Sequence, residues 1–336
     1  MPVNGNGRII EVEQLTKRYG ELIAVDAISF FVEQGEVFGI LGPNGAGKTT
    51  TLEMVEGLRR PEGGTITVDG LSVWPSPKAV KARIGVQLQA TALFDYQKLH
   101  EIIYIFGSCY GIHRSRTDCV ALLERVGLAE KANVFANELS GGQAQRLSIA
   151  LALVNDPVVT FLDEPTTGLD PRARRSLWGV IKQINDAGTT VVLTSHYMEE
   201  AERLCDRVAV MDLGHIVALD TPRALINDLG AEATVTFTVD TEPSADLFCG
   251  LDGVQSCRLQ EPGYAIVALD AQRAVVSLLD LAEREGLRIG NLDVQGANLE
   301  DVFLSMTGHK LGEDEVAAEE AEAEPKKRRR LLARGR

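Results

Sequence analysis

Residues 39 to 50, GILGPNGAGKTT, restrict what this chain can fold into more than any other stretch. The preceding apolar run, VFGIL, reads as a buried strand, and TTTLEMVEGL after Lys48 reads as a helix. Three glycines, Gly42, Gly45 and Gly47, therefore occupy a strand-to-helix turn. In that setting the spacing Gly42-x-x-x-x-Gly47-Lys48-Thr49 is a phosphate-binding pattern. Residues without a Cβ let the backbone N–H groups turn inward around phosphate oxygens, and the helix start adds its positive end. Lys48 is then placed to bridge the β- and γ-phosphates of a nucleotide, and the Thr49 hydroxyl to ligate Mg²⁺. Gly42, Pro43, Asn44, Gly45, Ala46, Gly47, Lys48, Thr49 and Thr50 form the candidate cradle.

Two further signals lie downstream. In L139-S140-G141-G142-Q143, Ser140 suits the N-cap of the helical run QAQRLSIALALV, and the two glycines let a phosphate approach that helix start closely. In VVTFLDEP an apolar strand ends in Asp163, whose carboxylate can hold Mg²⁺ through water at the sheet's carboxyl edge. Glu164, the next residue, can polarise an attacking water as general base. The runs VVTFLD and TTVVLT are nearly all apolar, as strands of a parallel sheet buried on both faces must be. A hairpin, DRVAVMDLGHIVALD, follows with its turn at Asp212 to Gly214.

The 336 residues are enough for roughly two domains. After about Gly230 the order becomes β-α-β-β-α-β plus a closing helix, NLEDVFLSMTG, which is a ferredoxin-like arrangement. The expected division is 1–229 with a helical subdomain at about 90–155, a small α+β domain at 230–308, and a disordered charged tail at 309–336. The KKRRR run in that tail could alternatively touch anionic lipid. A formal net charge of -14 would repel phosphate backbones, so nucleic acid is not an expected partner. No run of about 18 apolar residues is present to span a bilayer, and the start MPVNGNGRIIEVE reads as cytoplasmic. Five cysteines without a CxxC argue against a disulfide framework or a zinc site, and they are expected to be thiols, mostly buried.

Over residues 8 to about 225 these motifs resemble the ATP-binding cassette family. The set comprises a Walker A (GPNGAGKTT), an LSGGQ signature, a Walker B with its glutamate (TFLDEP), a D-loop (TGLD, ending at Asp170) and a switch histidine after a strand (LTSH, His196). The resemblance implies an α/β P-loop NTPase cassette: a mixed sheet core, an antiparallel β subdomain and a helical subdomain, here followed by the small ferredoxin-like domain. It also implies ATP as substrate, Mg²⁺ as its metal, and a head-to-tail homodimer in which one copy's P-loop and the other's Ser140, Gly141, Gly142 and Gln143 enclose each nucleotide. Tyr19, in TKRYG, matches the aromatic that stacks on adenine. His196 matches the residue that contacts the γ-phosphate. Gln89, in RIGVQLQ, matches the glutamine that senses Mg²⁺ and the attacking water, with Gln87, two residues earlier on the same strand face, as the alternative register. Ala144 and Thr167 depart from the commonest family residues without removing a group the chemistry needs.

The closing NLEDVFLSMTG and the size of its domain resemble the ATPase subunits of daunorubicin-type drug-resistance exporters. That likeness implies a separate membrane-spanning permease and a peripheral position on the cytoplasmic face of the cell membrane. The competing expectation is a non-transport ATPase acting as an assembly or repair scaffold.

Overall fold

Strand-period and helix-period segments alternate along the chain, and the computed structural model places them in two units. It describes residues 7–75, 77–87, 95–230, 233–241 and 243–307. The first unit ends at Thr221 and the second begins at Pro222. Strands of the first are β1 (Arg8–Tyr19), β2 (Leu22–Glu33), β3 (Val37–Leu41), β4 (Gly63–Val68), β5 (Leu71–Ser72), β6 (Ile84–Val86), β7 (Val159–Asp163), β8 (Thr190–Ser195), β9 (Arg207–Asp212) and β10 (His215–Asp220). Its helices are α1 (Lys48–Val55), α2 (Pro77–Lys81), α3 (Leu99–Cys109), α4 (Arg116–Arg125), α5 (Gly141–Ala152), α6 (Pro171–Asp186) and α7 (Met198–Leu204).

One sheet runs β10-β9-β3-β8-β7-β6, parallel except for the β9–β10 hairpin, and an antiparallel sheet runs β2-β1-β4-β5. Burial on both faces explains the apolar character of the central strands: β3 and β8 are buried at every position. Phe30 and Phe38 stack with ring centroids 5.5 Å apart between the sheets' strands β2 and β3. The helix α6 shows how the sequence writes an amphipathic element. Asp170 caps its start, accepting from the Arg172 and Ala173 N–H groups at 2.9 Å, and Pro171 follows at the first turn. Leu177, Ile181 and Ile184 recur on one face and are buried, and Gly188, at φ 97°, follows its end. Truncating Leu177 to Ala would cost about 2–5 kcal/mol.

The second unit contains α8 (Pro222–Asp228), β11 (Ala233–Val239), α9 (Asp246–Cys249), β12 (Val254–Gln260), β13 (Gly263–Ala268), α10 (Ala271–Glu285), β14 (Ile289–Gly296) and α11 (Leu299–Thr307). Its antiparallel sheet has the order β12-β13-β11-β14, the ferredoxin-like topology expected from the order of elements. Phe237, Phe248 and Tyr264 pack against one another at its centre, with centroids 4.8–5.7 Å apart.

Two expectations need correction. Cys249 and Cys257 form a disulfide, because the single turn α9 returns the chain to β12 with their Cα atoms 5.1 Å apart. Of the remaining thiols Cys119 and Cys205 are buried and Cys109 is exposed. The first helix of the expected β-α-β-β-α-β order, placed in PSADLFCGL, is only that one turn. Among the described residues no helix is long and apolar enough to cross a membrane.

Candidate active site

Strand order and register bring the motifs together. Because β8 lies between β3 and β7, its last residues pair with both neighbours: Ser195 with Leu41 and Thr194 with Asp163. The glycine loop leaves β3, the two acids end β7, and His196 follows β8. All three therefore emerge at the carboxyl edge of one parallel sheet, where open α/β sheets bind ligands.

The loop's glycines answer first to the protein's own backbone. A Cβ on Gly42 (φ 149°) would lie 2.2 Å from the Met211 carbonyl oxygen, and one on Gly47 (φ 100°) would lie 2.3 Å from that of Ala24. Gly47 is also the left-handed residue that starts α1. Lys48 is 4% exposed, and its ammonium donates to the carbonyls of Gly42 at 2.9 Å and Pro43 at 3.0 Å. It lies 3.6 Å from Glu164 Oε1.

Glu164 sits in the left-handed region at φ 45°, unusual for a residue with a side chain. Its N–H donates to Thr194 Oγ1 at 2.9 Å, and its Oε2 accepts from the Thr167 hydroxyl at 3.1 Å. His196 Nδ1 is 3.4 Å from the same Oε2. The His196 ring, with the Lys48 ammonium and the Thr167 hydroxyl, lowers the Glu164 pKa to about 2, overcoming the opposing effect of burial. Asp163 Oδ1 accepts from Thr194 Oγ1 and lies 3.4 Å from Thr49 Oγ1.

Gly47, Lys48, Thr49 and Glu164 border a cavity of about 260 Å³ that Tyr19, Asn44, Gly45 and Thr50 also line. Tyr19 is 40% exposed at the end of β1, with the cations of Lys17 and Arg59 5.6 and 5.4 Å from its ring centroid. Such a wall of amide-bearing loop, buried ammonium and open aromatic suits a nucleoside phosphate. Among the described residues no group of three His, Cys, Asp or Glu could hold a metal. The hydroxyl and carboxylate of Thr49 and Asp163 are the oxygen donors that suit Mg²⁺ carried in on phosphate oxygens.

Other expected residues lie apart from this cluster. Ser140, Gly141, Gly142 and Gln143 start α5 and do not line the cavity. Gln143 folds back so that its Oε1 accepts from the Ser140 N–H at 3.1 Å. Asp170 is engaged as the α6 cap. Gln89 lies outside the described residues. Gln87 is 5% exposed, with an Oε1 that has no hydrogen-bond partner among the described residues.

The sequence reading missed Thr194 and Glu200. Glu200, fully buried on α7, accepts from Thr166 Oγ1 at 3.1 Å, Ser195 Oγ at 2.7 Å and Trp178 Nε1 at 3.2 Å. Burial pushes its carboxyl pKa up against those bonds. It ties the turn before His196 to the segment that leads into α6. Within TTVVLTSH a threonine looks like an ordinary strand former, and within YMEEAERL a glutamate looks like part of a solvated face, so neither gave a signal.

Comparison with known proteins agrees with this geometry. The family described as ABC transporter matches residues 25–167. The linearmycin resistance ATP-binding protein LnrL of Bacillus subtilis (strain 168) is 37% identical over 309 residues, covering 90% of this chain and 99% of that protein. The Nod factor export ATP-binding protein I of Paraburkholderia xenovorans (strain LB400) is 39% identical over 305 residues, covering 90% and 98%. Among solved structures, CbiO1 from Clostridium perfringens, part of the ABC transporter complex CbiONQ, superposes with a TM-score of 0.61 at 27% identity, covering 67% of this chain and 92% of that one. A dimeric ATP-binding cassette in a post-hydrolysis state with ADP and Pi gives a TM-score of 0.57 at 26% identity, covering 63% and 98%.

Proposed function

This chain belongs to the ABC transporter family as one of its ATP-hydrolysing subunits, and we propose that it drives export through a separate membrane-spanning permease. The observation that carries export is its match, over nearly the whole length of both chains, to a resistance protein and an export protein. A drug-like or lipid-like compound is the cargo class this reading favours. The protein then works at the cytoplasmic face of the membrane, held there by its permease.

In the proposed cycle two copies meet head to tail. The N–H groups of the glycine loop receive the phosphates, Tyr19 stacks on the base, and Lys48 leaves the carbonyls of Gly42 and Pro43 for the β- and γ-phosphate oxygens. Thr49 and Asp163 would hold the Mg²⁺ that travels with the nucleotide, Gln89 would contact that ion and the water, and the charge neutralisation at the phosphates would be what the metal supplies. The α5 tip of the other copy, Ser140 to Gln143, closes over the γ-phosphate, with Asp170 at the same junction. Glu164 then accepts a proton from the attacking water while His196 contacts the γ-phosphate.

The resting geometry opposes premature turnover. A carboxyl held at about 2 by His196, Lys48 and Thr167 is a poor base. Once Lys48 and His196 turn to the nucleotide, Glu164 loses two of the contacts that acidify it and becomes more basic. Closure is favoured because phosphate contacts are made from both sides only in the closed dimer.

The test is co-purification. Affinity-tagged full-length chain, expressed in its native cells, is expected to be retained on membranes and to co-elute with an integral membrane protein of about six apolar spans. Recovery of the chain entirely in the soluble fraction, with no membrane protein bound, would overturn the export reading in favour of a scaffold ATPase.

A further inference from the structure

Thr194 is the penultimate residue of β8 and is completely buried. Val191, Val192 and Leu193 before it are buried and apolar, so a hydroxyl here costs stability unless it is bonded. Its bonds go to both acids at the end of β7. The hydroxyl donates to Asp163 Oδ1 and accepts from the Glu164 N–H at 2.9 Å. One donor and two acceptor lone pairs allow both bonds at once, and the Thr194–Asp163 pairing sets them in register. The second bond supports a strained element, because Glu164 holds a φ of 45° that L side chains rarely adopt. Without that acceptor the N–H would lack its partner.

We propose that Thr194 is a positioning residue for hydrolysis, whose hydroxyl orients the Asp163 carboxylate and holds the Glu164 backbone in the left-handed turn that aims its side chain at Lys48 and His196. The proposal rests on the reading of Asp163 as the Mg²⁺ holder and Glu164 as the base. Valine keeps the branched shape and packing of threonine while removing both bonds. Serine restores the hydroxyl and removes only a methyl.

The experiment compares full-length wild type, T194V, T194S and E164Q in steady-state ATP hydrolysis, and measures ADP binding calorimetrically with EDTA and with Mg²⁺. T194V is expected to lower kcat about 10- to 100-fold with KM for ATP within about threefold. Its ADP affinity in EDTA should match wild type, while the gain that Mg²⁺ brings should shrink. T194S should recover most of the turnover. Should T194V not fold, T194A removes the same hydroxyl and is read in the same way. The inference is overturned if the hydroxyl-free variant turns over within about twofold of wild type while E164Q is inactive, or if T194S is as impaired as T194V. Wild-type turnover by E164Q would instead overturn the assignment of Glu164 on which the inference stands.

Discussion

Lys48 is 4% exposed and already held by two carbonyls and Glu164, whereas Ser140 and Gly141 at the start of α5 are open to solvent. The first region is already engaged by protein groups, and nucleotide binding must take those contacts apart before new ones form. The second has little to undo: Gln143 satisfies the Ser140 N–H, and the helix start faces water. A buried cation cannot be left unpaired without a large penalty, so the chain supplies partners of its own until phosphate arrives. Exposed amides at a helix start carry no such penalty. Changes in the P-loop half should therefore alter what one copy binds or how it reacts, while changes at the α5 tip should alter only what two copies do together.

The largest expected effect is at Glu164. E164Q keeps the shape but removes the base, and should lower kcat by about 10²- to 10⁴-fold while retaining ATP, so that a dimer accumulates in size-exclusion chromatography with Mg²⁺ and ATP. Hydrolysis at the wild-type rate would remove Glu164 from the reaction. Next is S140A, expected to cost about 10- to 100-fold in turnover, as loss of one donor to developing phosphate charge typically does. Its single-copy ADP affinity should stay within about threefold of wild type, in contrast to Lys48→Ala, which should bind ADP far more weakly. Mixing S140A with Lys48→Ala should recover hydrolysis that neither shows alone, because one of the two sites in a mixed dimer is intact. If S140A weakened ADP binding as much as Lys48→Ala, or mixing restored nothing, the division between the two regions would fail.

Much of this arrangement was legible because it is written in local patterns. The glycine loop, the LSGGQ helix start and the strand ending in Asp163 each carry their structural context within about a dozen residues. The second unit's topology was readable because turn glycines separate segments of clear period. What escaped detection depends on long-range partners. Thr194 matters through atoms 30 and 31 residues away, and Gly42 is required by the carbonyl of Met211 on a neighbouring strand. Glu200 was hidden for the same reason, since its partners Thr166 and Trp178 lie 34 and 22 residues away. The short helices α2, α7 and α8, of five to seven residues, offer too few positions for a helical period to emerge.

The smallest expected effect separates the two regions by pH. The Glu164 carboxyl is lowered from 4.5 to about 2 by His196, Lys48 and Thr167. A group whose pKa falls on folding contributes stability that is fully present above its unfolded value and is lost as pH drops through the folded one. Between about pH 5 and 3, wild type should therefore lose more stability than E164Q, whose amide has no charge to lose. The gap in Tm between the two proteins should be about 2–3 °C above pH 5 and narrow on acidification. S140A should run parallel to wild type across the same range, because no titrating group is changed at the α5 tip. A gap for E164Q that stays constant from pH 6 to pH 3 would mean that the carboxylate is not held by His196, Lys48 and Thr167, and that the P-loop half is no better organised than the tip it is contrasted with.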